Sequence, residues 1–156
     1  MHTPHHILAA HDLYDREILA HGFYPNMRDY FLLVGDFGRT PTHYWEYTFR
    51  GCVEAGYRLT LKPDSISFDD SLLRLDSAGS VPGFVWGVRS ACSAEEGWEC
   101  SNEEPTARAW AKRLSVPIWY SRIGTNVYEL KLWFFALQVE PIGNVEQRLD
   151  EIWERG

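Results

Sequence analysis

Trp45-Glu46-Tyr47-Thr48-Phe49-Arg50-Gly51-Cys52-Val53-Glu54-Ala55-Gly56-Tyr57-Arg58-Leu59-Thr60-Leu61 alternates along its whole length. The odd positions are aromatic, apolar or small; the even ones are mostly charged or hydroxylated. Side chains of an extended chain point to opposite faces in turn, so the stretch reads as a strand with one buried face. It is longer than an ordinary strand, and a bend or bulge at Gly51 or Gly56 is the expected way to keep it twisted. Its polar row, Arg50, Cys52, Glu54 and Arg58, faces solvent, a partner or a covering element.

Working outward from this ribbon, Gly35 to Pro41 reads as a hairpin loop and Tyr30 to Val34 as the strand before it. Thr3 followed by Pro4 opens a helix. Ile7, Ala10 or His11, Tyr14, Ile18 and His21 recur at helical spacing, so this helix is predicted over 4–21, with Gly22 ending it. Downstream, Pro63 and Asp64 close the ribbon, and Ile66 with Phe68 suggests a short strand. Residues 69–76 suggest a helical turn or irregular segment, and Phe84 to Val88 a strand. Ser101 with Glu104 resembles a capping box ahead of a helix whose buried stripe is Ala107, Trp110, Ala111 and Leu114.

Ile118 to Ile123, a turn at Gly124-Thr125-Asn126, and a second long ribbon from Val127 to Val139 follow. The dominant apolar parity of that ribbon changes near Trp133, which predicts a bulge there or cover on both faces. Asn144, with Gln147 three residues on, caps a last helix with Val145, Leu149 and Ile152 facing inward. Together these elements predict a single α+β domain over 1–156: a mainly antiparallel sheet with about three helices packed against it.

The chain carries 22 acidic and 15 basic residues, a formal charge of −7. That balance argues against binding a phosphate backbone, which needs positive charge, and suits either plain solubility or a basic protein partner. No run is long enough to span a bilayer, and the first ten residues are too short and polar for a signal peptide. Three cysteines do not form a disulfide framework, so a reducing cytoplasm is expected; a Cys92–Cys100 bridge is the one pairing the spacing suggests. There is no dinucleotide-binding glycine pattern, Walker sequence, nucleophile elbow or His-Glu-x-x-His, and neither a cofactor nor a metal is predicted.

Two clusters are candidates for function. Cys52 and Glu54, with His43 brought near by a bulge, would make a small hydrolytic site in which a histidine activates a thiolate. Against it stands the reading of Cys52 as a covered cysteine and Glu54 as the partner of Arg50 or Arg58. The acidic stretch Glu95, Glu96, Trp98 and Glu99 would form a charged recognition loop with a hydrophobic anchor. His11 and His21 read as structural, with the helix dipole favouring the charged form of His21. His2, His5 and His6 read as a fraying terminus.

Tyr47-Thr48-Phe49-Arg50-Gly51-Cys52-Val53-Glu54-Ala55, Val85-Trp86-Gly87-Val88-Arg89, and Thr125-Asn126 before the last ribbon resemble small bacterial proteins grouped as YxiG-like. The resemblance covers most of the chain, and no catalytic residue is carried over from it. Some bacterial immunity proteins are similar in size and acidity. The expected function is therefore a non-enzymatic cytoplasmic interaction protein, of immunity type, with the hydrolase as the alternative.

Overall fold

The computed structural model describes residues 3–13, 16–36, 40–59, 98–125 and 128–155. Helix α1 (Pro4–Ala10) is followed by strands β1 (Glu17–Phe23), β2 (Tyr30–Asp36), β3 (His43–Arg50), β4 (Glu54–Leu59) and β5 (Trp98–Ser101). Helix α2 (Pro105–Leu114), strands β6 (Trp119–Gly124), β7 (Tyr128–Phe134) and β8 (Ala136–Pro141), and helix α3 (Val145–Arg155) complete the order. The expected short elements at 66–76 and 84–88 lie outside the described residues.

Among the described residues all strand pairs are antiparallel, in two sheets ordered β1-β2-β3-β8 and β4-β7-β6-β5. This is the expected α+β architecture with a mainly antiparallel sheet.

The two long ribbons of the sequence are each a pair of strands. The first breaks at Gly51, whose φ of 59° lies in the left-handed region that favours glycine. The second breaks at Phe135, between β7 and β8. The breaks are opposite one another. Phe135 N–H donates to the Arg50 carbonyl at 2.9 Å, and Val53 N–H donates to the Trp133 carbonyl at 2.8 Å. A Cβ on Gly51 would stand 3.2 Å from Phe135 Cβ. The paired ribbons therefore turn together: β3 and β8 lie in one sheet, and their continuations β4 and β7 in the other. Strands that pass from one sheet to the next make the corners of a sandwich.

The expected bend at Gly51 is present, but it does not preserve the parity of the ribbon. Cys52 turns inward and is buried, so the predicted polar row of Arg50, Cys52, Glu54 and Arg58 is not one row. The parity change in the second ribbon also belongs to the corner. Tyr128, Leu130, Leu132 and Phe134 face inward before Phe135, and Leu137 after it.

The core lies between the sheets. Tyr30, Leu32, Val34, Tyr47 and Phe49 of the first sheet meet Ile123, Leu130, Leu132 and Phe134 of the second. The Phe49 and Phe134 rings pack edge to face at 4.9 Å. Strand β2 is buried on both sides, because Phe31 and Leu33 point outward under α3, against Leu149, Val145 and Ile152. Asn144 caps α3, its Oδ1 accepting from Gln147 N–H at 3.0 Å, as expected.

Two boundaries differ from the sequence reading. The first helix ends at Ala10, and residues 17–23 form β1 instead of its second half. Ile18 falls at helical spacing from Ile7, but β1 with its irregularity between Ile18 and Ala20 pairs along β2, and sheet pairing overrides the local pattern. Leu13, between the two, is fully buried. The cap of α2 is Glu104, not Ser101. Its carboxylate accepts from Ala107 N–H at 2.8 Å and from the Trp133 indole N–H at 2.8 Å, so the helix start is fixed to the outer face of β7. Ser101 Oγ accepts from Glu103 N–H instead.

Candidate functional site

The polar side chains of β3 that do share a face are Glu46, Thr48 and Arg50, and they meet the turn between β1 and β2 and the polar side of α3. In that turn Asn26 Oδ1 accepts from the amides of Arg28 and Asp29, and Met27 N–H donates to the Tyr24 carbonyl at 2.9 Å. Asp29 reaches the sheet corner: Oδ1 accepts from Gly51 N–H at 3.0 Å, and Oδ2 accepts from the Arg50 guanidinium at 3.1 Å. Burial raises the Asp29 carboxyl pKa. The Gly51 amide, Asn26 and Arg50 outweigh that and hold it below the ordinary range. Arg50 also donates to Gln138 on β8.

Beside this lies the second half of the network. Arg148 of α3 makes a two-pronged contact with Glu46, at 2.9 and 2.7 Å, and donates to Glu151 at 3.1 Å. The Tyr24 hydroxyl donates to the same Glu46 carboxylate. Burial raises Glu46, but Arg148 and Tyr24 bring it below its usual value. These groups line two contiguous grooves of about 470 and 390 Å³ that share Tyr24, Pro25 and Arg148.

At the edge of the sandwich, His21 of β1 is hydrogen-bonded through Nδ1 to the Tyr30 hydroxyl at 2.6 Å. Its ring stacks on Tyr57 of β4 at 5.5 Å and lies 5.0 Å from Tyr128 of β7. Burial pushes the imidazole pKa down to about 4, so His21 is neutral at physiological pH. The expectation that a helix dipole charges it is corrected: it sits on a strand, among aromatic rings.

The proposed hydrolytic residues are not brought together. Cys52 is buried in the core; its thiol donates to the Glu54 carbonyl at 3.3 Å, and burial pushes its pKa up to about 11. A thiol so held is not a ready thiolate. The Glu54 carboxylate points to α2, accepting from the Trp110 indole N–H at 2.9 Å, rather than pairing with Arg50 or Arg58. His43 stands at the opposite end of β3, roughly 23 Å from Arg50 at the usual rise of a strand, paired in register with Asp36. No bulge corrects this, because the corner at Gly51 directs the chain into the other sheet.

Of the acidic stretch, Glu95 and Glu96 lie outside the described residues, as does Cys92 with its suggested bridge to Cys100. Trp98 opens β5, an edge strand among the described residues. Glu99 follows it, exposed and opposite Arg122, and Arg122 is held by Glu129 at 2.8 Å. Among the described residues no group of three or more His, Cys, Asp or Glu side chains is placed to hold a metal, and no helix is long and apolar enough to cross a membrane.

The network of Tyr24, Asp29, Glu46 and Arg148 was not singled out in the sequence. Half its signal was there, in the even-numbered polar face of β3. The other half was not, since Glu46 and Arg148 are 102 positions apart. Compared with curated proteins, the chain shows no sequence match. A family model described as YxiG-like protein matches residues 5–149, nearly the full length. With the three quoted motifs inside that span, the chain belongs to the YxiG-like protein family.

Proposed function

We propose that this chain is a non-enzymatic cytoplasmic interaction module that binds a basic protein, as an immunity-type inhibitor does, through the acidic stretch holding Glu95, Glu96, Trp98 and Glu99. The observation that carries the reading is at β5. Glu99 is exposed on a strand that is an edge among the described residues, and the cation opposite it is already engaged by Glu129. Glu103, just beyond the strand, is exposed as well. Exposed carboxylates, in a chain of net charge −7, favour encounter with a positively charged surface. The polar groups expected to do chemistry are otherwise engaged: Cys52 as a buried thiol and Glu54 as the acceptor for Trp110.

Affinity capture with the tagged chain, from cells of the source organism, tests the proposal. A basic protein should be retained by the native chain at low salt, released as ionic strength rises, and lost when Glu95, Glu96 and Glu99 are all changed to Lys. Retention unchanged by the triple charge reversal, in a variant with native circular dichroism, overturns it.

A further inference from the structure

Helix α2 carries no acidic residue. Its outward side is Arg108, Ala109, Lys112 and Arg113, all exposed, and Leu114 after them is 42% exposed. The stripe predicted to be buried is fully buried only at Ala107; Trp110 and Ala111 are half-buried. Glu104 and the Trp110 indole tie the helix to the sheet, and its last turn stands in solvent. Arg113 lies over the Trp110 ring at 5.2 Å, which holds its charge in place. Among the described residues Arg108, Lys112 and Arg113 make no ion pair. In a chain of net charge −7 this is a concentrated patch of the opposite sign.

Helix α3 carries the complement. Glu146, Asp150 and Glu154 are exposed along it at steps of four residues, and none of them makes an ion pair among the described residues. Arg148, the cation between them, is engaged by Glu46 and Glu151. Residues four apart stand one above the other on a helix, about 6 Å apart along its axis. Arg108 and Lys112 therefore have the same spacing as Glu146 and Asp150, and the small Ala109 beside them lets a second helix come close.

The two rows lie on opposite outer faces of the sandwich. Helix α2 is fixed to the outer face of β7, and α3 covers Phe31 and Leu33 on the outer face of β2. One molecule cannot join its own rows, but two copies can. Because the patches differ, the contact is heterologous: each copy offers α2 to one neighbour and α3 to the other.

We infer that a second copy of this chain docks the Glu146 and Asp150 row of its α3 on the Arg108 and Lys112 row of α2, giving head-to-tail association. The contact joins helices of 10 and 11 residues, less than a standard interface, and its attraction is between exposed charges. Association is therefore weak, concentration-dependent and sensitive to salt. It uses none of Glu95, Glu96 and Glu99, so its failure leaves the reading of a basic partner intact, and the reverse holds as well.

Sedimentation velocity of the full chain, from about 10 μM to about 1 mM in dilute buffer, tests it. The mean sedimentation coefficient should rise with concentration without levelling at a dimer, and about 0.5 M sodium chloride should reverse the rise. Two charge-reversed variants, one carrying Arg108→Glu with Lys112→Glu and the other Glu146→Lys with Asp150→Lys, should each associate at least tenfold more weakly. Mixed together they should associate again, since each then meets a row of opposite sign. Both variants remain net negative, so general attraction between the two proteins does not produce this result. The substitutions place good helix formers at exposed positions, and circular dichroism checks each fold; if one pair disturbs its helix, the other pair and the salt dependence still decide. A native chain that stays monomeric throughout, association that stops at a dimer, association that the variants leave unchanged, or a mixture that fails to restore it overturns the inference. So does a monomeric native chain that binds poly-glutamate through Arg108 and Lys112, which assigns the α2 face to an acidic partner.

Discussion

Acid should unfold this protein through His21 before it does so through any described carboxylate. The imidazole has an ordinary pKa of 6.5 in the unfolded chain and about 4 when buried among Tyr30, Tyr57 and Tyr128. A basic group whose folded pKa is depressed leaves the unfolded state holding the extra proton. Stability is therefore full above the unfolded value and falls as pH drops toward the folded one. Each unit in that window costs about 1.4 kcal/mol, so passing from about pH 7 to about pH 5 removes about 2 kcal/mol, and the full window about 3.

The carboxyls of Asp29, Glu46, Glu104 and Glu129 are all shifted downward and begin to matter only at lower pH. His11 adds a loss of the same sign, and Glu17, raised by burial, a small gain on acidification. Both remain in a His21→Gln variant, which keeps a hydrogen-bonding group beside Tyr30 but does not ionise. Urea unfolding followed by tryptophan fluorescence, at the two pH values, gives the comparison. The native chain should lose about 2 kcal/mol more than the variant between them. Equal losses in the two proteins would refute the assignment of the acid sensitivity to His21.

Other consequences follow from the corner, the caps and the thiol. Gly51→Ala forces a side chain into a left-handed backbone against Phe135 Cβ at 3.2 Å, and should cost about 2–3 kcal/mol in urea unfolding. Arg148→Met leaves Glu46 and the Tyr24 hydroxyl half-buried without their cation; a loss of about 2–3 kcal/mol is expected, and the double variant with Glu46→Gln should recover part of it. Glu104→Ala removes both the cap of α2 and the acceptor for the Trp133 indole, and thermal unfolding should report a loss of about 1–3 kcal/mol. Cys52 should resist a thiol-specific reagent at neutral pH in the native state and react on unfolding; rapid labelling of the folded chain at that residue would contradict its burial.

What the residue pattern revealed and what it concealed have one cause, the range over which each interaction acts. Alternation at Trp45, Tyr47 and Phe49, and the cap at Asn144, are local, and the structure keeps them. The family resemblance, resting on contiguous motifs, is likewise matched over residues 5–149. The partition of each ribbon between two sheets depends on Gly51 meeting Phe135, which no window of neighbouring residues contains. The same holds for β1, whose residues at helical spacing become a strand because β2 lies beside them. At the candidate sites, grouping Cys52 with Glu54 and His43 assumed one unbroken face; the corner turned the thiol inward and left His43 at the far end of β3. The contiguous grooves beside Arg148 could not be found locally, since their walls come from the β1–β2 turn and from α3.

The shared corner also sets the order in which the molecule can be completed during synthesis. Strand β3 must wait for β8, which pairs Trp45 with Pro141, and β4 must wait for β7, which pairs Glu54 with Trp133. Among the described strands, the β1-β2-β3 meander and the later β6-β7 hairpin are built from neighbouring segments, and only the meander precedes the corner at Gly51. Closing such distant pairings carries the entropy of a large loop and slows folding relative to local contacts. Until β7 and β8 leave the ribosome together, β3 and β4 have open edges and Phe49 lacks its partner Phe134. A nascent chain stalled before Tyr128 would thus expose the aggregation-prone edge that the finished protein closes with a single ribbon.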